Sequence, residues 1–154
     1  PKSKALGVRY EYVADGVYAS QSFLDMSAST AQGNQANGVF LSESEGKLAT
    51  CTLTDQTESG LRTDKSSAVA TGLELARNRL QGVYETGSRL DLSDSTVHDN
   101  VQNGVLLENA LIDMLRCTVS ANGVYGIFAD KNSSATVTDS TASRPLALTT
   151  VWEV

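Results

Sequence analysis

GVYETGSRLDLSDSTVHDNVQN, residues 82–103, is followed at Gly104-Val105 by a second copy of its own opening. A Gly before a branched aliphatic recurs at Gly16-Val17, Gly38-Val39, Gly60-Leu61, Gly82-Val83, Gly104-Val105 and Gly126-Ile127, each 22 residues from the last with no insertion between them. Repeats at a fixed period decide an architecture before any local reading does. Stacking the units gives columns. The second position is always Val, Leu or Ile, the ninth runs Leu24, Gly46, Ala68, Leu90, Ile112, Ser134, the eleventh Met26, Leu48, Ala70, Leu92, Met114, Thr136, and the sixteenth Ala31, Leu53, Leu75, Val97, Val119, Thr141. Within each unit the apolar positions alternate in short bursts, the period of strands, and no burst is long enough for a helix. The expected fold is all-β: a right-handed parallel β-helix of about six 22-residue coils over residues 16–143.

Two further columns are read as structural. The nineteenth holds Asn34, Gln56, Asn78, Asn100 and Asn122. An inward Asn at a bend bonds to its neighbours above and below, serves backbone that the bend leaves unpaired, and tolerates the left-handed conformation. The Gly column is expected to allow positive φ or close approach where a strand begins. Leucine-rich repeats share this range of periods, but the dense Leu signature and room for a helical arc are missing. Hexapeptide left-handed helices would give a shorter coil.

The pattern Gly-Val-x-aliphatic, then aliphatic-x-aliphatic, then Val-x-x-Asn resembles the parallel β-helix repeats of the pectate-lyase-like superfamily, in particular the repeat proteins of bacterial envelopes and secreted fractions. The resemblance runs from residue 16 to about residue 143. It implies the fold and an extracellular or cell-envelope address. It implies no single activity, since that superfamily holds lyases, hydrolases, epimerases, adhesins and inert scaffolds. The mannuronan epimerase signature Asp-Pro-His-Asp is absent from the chain.

At the ends the register fails: Tyr12 falls in the Asn column and Arg9 in the aliphatic one. Residues 1–15 read as a cap or a degenerate coil. The sixth unit is shifted by one residue, so that Ala135 and Val137 replace the inward pair. Residues 144–154, with Leu146, Leu148, Val151, Trp152 and Val154, read as a closing strand or a truncated next coil, and the opening Pro1 reads as a trimmed piece. Cys51 and Cys117 share the inward fourteenth column three coils apart, roughly 14 Å at one strand spacing per coil. That is beyond disulfide reach, so both are expected as buried free thiols.

Chemistry is sought on the outward positions. Column three, Tyr18, Phe40, Arg62, Tyr84, Leu106 and Phe128, makes a vertical stripe of aromatic and apolar side chains. Column five beside it carries Asp64, Glu108 and Asp130 among hydroxyls. Such a face suits a protein partner, a second copy, or the C–H faces and hydroxyl rims of sugars. Outward carboxylates stack as Asp91 over Asp113 and Glu108 over Asp130, roughly 5 Å apart, near the separation of retaining glycosidases. Neither pair has an Arg or Lys in its own column, Lys131 alone lying near Asp130. Glu85 falls on the inward fourth position. A bulge that turns it to water is expected, because unpaired Glu is rarely buried; left inside, it would carry the raised pKa of a general acid. His98 is expected outward and solvated. The Thr-rich fifteenth column is broken by Glu74 and spoiled as a flat grid by Asp94 and Arg116, while Asp55, Arg77 and Asp99 form a charge ladder.

A net charge of −6 argues against nucleic acid and anionic membranes, and no apolar run approaches the roughly 18 residues of a membrane span. With one histidine and no Cys-x-x-Cys, neither a metal nor a cofactor is expected. Uninterrupted spacing leaves no room for catalytic loops. The expectation is a non-catalytic scaffold or interaction module, docking or self-associating through the stripe; the alternative is a carbohydrate-binding or polysaccharide-cleaving module using the same face.

Overall fold

The computed structural model describes residues 2–11, 13–143, 147–148 and 151–153. Each 22-residue unit is one coil, numbered 1 to 6 from Gly16, and each contributes one strand to each of three parallel sheets. Sheet I stacks Val17–Ser20, Val39–Ser42, Leu61–Asp64, Val83–Thr86, Val105–Glu108, Ile127–Ala129 and Ala147–Leu148. Sheet II stacks Lys2–Leu6, Phe23–Ser27, Glu45–Ala49, Ser67–Thr71, Arg89–Ser93, Leu111–Leu115, Ser134–Thr138 and Val151–Glu153. Sheet III stacks Arg9–Glu11, Thr30–Gln32, Thr52–Thr54, Glu74–Ala76, Thr96–His98, Thr118–Ser120 and Thr141–Ala142. The strands are short because each alternating burst has room for one or two inward residues before the chain must bend. Those residues form one continuous core, including Leu24, Met26, Leu41, Leu53, Leu75, Leu92, Val97 and Ile112, all at or below 1% exposure.

Three bends close a coil, and in coils 1 to 5 each is made by one residue in the left-handed conformation. The sheet I to II bend uses Gln21, Glu43, Lys65, Gly87 and Asn109; the II to III bend uses Ala28, Thr50, Gly72, Asp94, Arg116 and Asp139; the bend after sheet III uses Gly33, Asp55, Arg77, Asp99 and Ala121. Most are not glycine, so each costs on the order of 1 kcal/mol. The ladder offsets this: Lys65 N, for example, donates to the Thr86 carbonyl at 2.9 Å. The repeated Gly column is therefore not there for positive φ. It is there for close approach: a Cβ on Gly104 would lie 2.5 Å from the Gly126 oxygen, 2.6 Å from Asn122 Nδ2 and 2.7 Å from Val119 Cγ1. The Asn column likewise sits one residue past its left-handed bend.

That column is fully engaged. Asn78 N donates to Asn100 Oδ1 at 3.0 Å, and Asn78 Nδ2 donates both to that oxygen and to the Leu53 carbonyl. Asn100 repeats the arrangement with Asn122 and Leu75, and Gln56 with Asn78 and Ala31. A second polar ladder lies at the seventh position, where Ser66 Oγ donates to Asp64 O and accepts from Ser44 N, with Ser44 and Ser88 in the same roles and Ser22 Oγ donating to Ser20 O. Cys51 and Cys117 occupy the matching place at the next bend: their thiols point at the Ala49 and Leu115 carbonyls, as the Ser95 hydroxyl points at Ser93 O. Both cysteines are free and buried, and burial pushes their thiols up.

The two irregular ends are offsets of one residue. At the N-terminus the offset is 21 rather than 22: Lys2 pairs Phe23 and Arg9 pairs Thr30. Arg9 therefore faces outward and reaches Gln32, instead of filling the aliphatic column. Val13, whose N donates to Asn34 Oδ1, stands where the Asn column would continue; Tyr12 lies outside the described residues. In coil 6 one extra residue sets Ala135 opposite Ile112 and Val137 opposite Met114. Ala147–Leu148 and Val151–Glu153 extend sheets I and II by a further strand each; Leu146 and Val154 lie outside the described residues.

Candidate functional site

The stripe stands on the outer face of sheet I because the second and fourth positions are packed inside. Tyr18 is 57% exposed, while Phe40, Arg62, Tyr84, Leu106 and Phe128 are half-buried against one another. In-register pairing of Tyr18, Phe40, Arg62, Tyr84, Leu106 and Phe128 holds them in one file. The Tyr18 and Phe40 rings are 5.2 Å apart at 41°. The Arg62 guanidinium lies 4.7 Å from the Phe40 centroid and 5.5 Å from that of Tyr84, a cation held between two rings. Its carboxylate partner Glu58 is 3.7 Å away. The Tyr84 hydroxyl donates to Glu108 Oε2 at 2.7 Å. A hydrogen bond with Thr86 pulls that phenol down, but burial and Glu108 together push it up, so it is no ready base. Tyr125, which the column reading did not include, lies 5.4 Å from Phe128.

The column-five acids do not act as a set. Asp64 lies half-buried in the column next to the file, two residues past Arg62 on its strand. Asp130 falls just past the last strand residue of coil 6, and its Oδ1 accepts from Asn109 N, Asn132 N and Ser133 Oγ. Those donors, Ser133 first, hold its carboxyl below the usual range. It shapes the turn that carries the extra residue, while Glu108 is bonded to the Tyr84 hydroxyl. The Asp91–Asp113 stack is in register, but Arg89, two residues before Asp91 on its strand, reaches both carboxylates, lying 3.1 Å from Asp91. This cation comes from the adjacent outward position, so it stands in neither carboxylate's column. Among the described residues no group of three or more His, Cys, Asp or Glu is placed to hold a metal ion.

His98 does point outward, but its surroundings differ from the expectation, and the expectation for Glu85 is overturned. His98 is not a free solvated side chain: half-buried, its Nδ1 is 2.7 Å from Asp99 Oδ2 and its Nε2 3.8 Å from Glu74 Oε1. Glu85 does not bulge out. It pairs in unbroken register with Thr63 and Leu107 and is 0% exposed. Coils of the same length, paired in register above and below, clamp the strand and leave no slack for a bulge.

Beyond the stripe, an open groove of about 990 Å³ follows the bend between sheets I and II, with Lys65, Arg89, Glu43 and Phe23 on its walls. No helix among the described residues is long and apolar enough to cross a membrane.

With this geometry the chain can be placed among known proteins. It belongs to the right-handed β-helix family, whose model matches residues 15–146. No curated protein matches it by sequence. Among solved structures it is similar to the periplasmic alginate epimerase AlgG, at 14% identity and a TM-score of 0.70 over 92% of this chain. It is also similar to the A-module of the Azotobacter vinelandii mannuronan C-5 epimerase AlgE6, at 15% identity and a TM-score of 0.75 over 100% of this chain. The chain spans 41% and 50% of those two proteins' lengths. At such identities the likeness is one of fold.

Proposed function

We propose that this chain is a non-catalytic, glycan-contacting segment of a secreted or cell-envelope β-helix protein, holding an extended polysaccharide along the Tyr18–Phe40–Arg62–Tyr84 file. The observation that carries the reading is the bracing of the file. Arg62 between Phe40 and Tyr84, and Tyr18 against Phe40, fix the rings before any ligand arrives. Rings ordered in advance lose little entropy on binding. Their faces match the C–H face of a pyranose, and Ser42, Asp64 and Thr86 in the next column offer hydroxyls and a carboxylate to its rim. The fold shared with two alginate epimerases supports a polysaccharide as the ligand class. Turnover is not proposed: the Asp-Pro-His-Asp signature is absent, Glu108 is bonded to Tyr84, and Asp130 is committed to a turn. The Leu106, Phe128 and Tyr125 end of the file is apolar and favours a second reading, docking of a protein partner or another copy.

The test is retention on a panel of acidic and neutral polysaccharides in affinity electrophoresis. Replacing Tyr18, Phe40 and Tyr84 by Ser is expected to abolish retention, with the melting temperature nearly unchanged. Retention untouched by the triple variant would defeat the reading. So would release of unsaturated or reducing ends that Glu108→Gln removes, since that would make the face catalytic.

A further inference from the structure

Glu85 is the one fully buried charged residue type among the described residues. Neither of its carboxyl oxygens has a hydrogen-bond partner, and the hydroxyl of Thr63, its neighbour on the strand of coil 3, has none either. Its other neighbour in the sheet is Leu107. The inward strand residues of sheets II and III in coils 3 and 4 are apolar, Ala68, Ala70 and Leu75 below and Leu90, Leu92 and Val97 level with it, and the buried Ser66, Ser88, Asn78 and Asn100 at the bends are bonded within the Ser and Asn ladders or to backbone. Every charged or titratable group on the surrounding strands is on the outer face. These are Arg62 and Asp64 beside Thr63, Tyr84 next in sequence, Glu108 after Leu107, Arg89 and Asp91 on sheet II, and Glu74 and His98 on sheet III. No cation faces the carboxyl, and the charge that bears on it most, Asp91, has the same sign. An ionised carboxylate in such a place lacks both counter-charge and donors.

We propose that Glu85 is a proton-operated latch: the folded solenoid holds it as the neutral acid, and its ionisation loosens coils 3 and 4 of sheet I, the strands that carry Arg62 and Tyr84. Burial, reinforced by Asp91, pushes the group well above the usual carboxylate range. The sign follows. Below that usual range Glu85 is protonated whether the chain is folded or not, and stability is complete. Above it the unfolded chain gives up the proton while the fold keeps it, so stability drains away as pH rises, until the folded group itself ionises. The latch stands apart from what the file binds, because its readouts need no ligand.

The experiment compares wild type with Glu85→Gln from about pH 4 to about pH 9. The two are expected to melt together at the acid end, with the variant at least about 3 °C higher at the alkaline end. Amides of residues 83–86 in wild type are expected to exchange at least about tenfold faster than in the variant at high pH, while those of coil 1 exchange equally. The Glu85 carboxyl carbon, followed by NMR in wild type, should titrate well above ordinary glutamates; this arm holds even if the variant fails to fold. Melts that track each other at every pH, or a carbon that titrates with ordinary glutamates, would overturn the proposal.

Discussion

Asn100 and Glu85 are buried polar side chains of the same coil, 1% and 0% exposed, and they are provided for in opposite ways. Every donor that Asn100 brings inside is met. Its backbone N and Nδ2 donate to Asn122 Oδ1, Nδ2 also reaches the Leu75 carbonyl, and its own Oδ1 accepts twice from Asn78. Glu85 has no such company: the residues above and below it are Leu107 and Thr63, and neither of its oxygens is bonded. The difference is repetition. In a solenoid the neighbour of a side chain is its own counterpart one coil away, so a polar group is satisfied when the column repeats it. A single departure is left with whatever the column otherwise holds.

The largest effect should come from forcing the two columns of the bend into each other. Gly104→Ala would drive a Cβ into the Gly126 carbonyl, the Asn122 amide and Val119 at once, and two of these are fixed by the ladder. A loss of about 3 kcal/mol is expected by denaturant unfolding; a loss under about 1 would mean the coils can part without penalty. Asn100→Ala should cost about 2 kcal/mol, because Asn78 N and Asn78 Nδ2 then lose their acceptor inside the core. An unchanged midpoint there would erase the contrast with Glu85. Glu85→Leu should move the other way. It matches the Leu107 above it, and at neutral pH it is expected to stabilise by about 1–2 kcal/mol, a gain that shrinks in acid, where Glu85 is neutral in both states and only the cost of burying its unbonded neutral carboxyl remains. A destabilising Glu85→Leu at neutral pH would show that the carboxyl makes bonds worth keeping.

The same rule explains what could be read from the chain in advance. Columns that repeat are legible: the Gly-aliphatic pair, the inward aliphatics, the Asn file and the inward cysteines could all be placed by counting. The Ser file at the seventh position repeats as plainly, through Ser22, Ser44, Ser66 and Ser88, and attention to small polar residues at bends would have found it. Contacts between columns are not legible by counting down one. Arg89 bridging Asp91 and Asp113, Arg62 between two rings, and Asp99 holding His98 depend on side-chain reach across neighbouring positions. The left-handed residues are not legible either, because they fall on Lys65, Arg116 and Asp55, types that betray no such conformation. Glu85 was expected to escape to water because burial of an unpaired carboxyl is costly; clamping by coils on both sides outweighs that cost.

The smallest effect separates the inside of the third bend from its outside. Asp55 and Gln56 are consecutive, as are Arg77 and Asn78, yet one column faces solvent and the other the core. Outside, Arg77 Nε and Nη2 donate to the two Asp55 oxygens at 2.9 and 3.1 Å, and that bond, first among the causes, holds the Asp55 carboxyl below its ordinary range. A depressed folded value means a contribution present above the ordinary Asp range and lost as pH falls through the folded one. Water screens a pair this exposed, so the discounted contribution is about 0.5 kcal/mol. Asp55→Asn should therefore lower the melting temperature by roughly 1–2 °C near neutrality. The deficit should shrink in about 0.5 M salt and disappear once the pH is low enough to protonate Asp55 in wild type. A deficit that survives both salt and acid would belong not to the ion pair but to the bend itself, where Asp55 is the left-handed residue and Asn is tolerated as well as Asp. A deficit rivalling that of Asn100→Ala would show that the outer column holds the coils together as firmly as the inner one does.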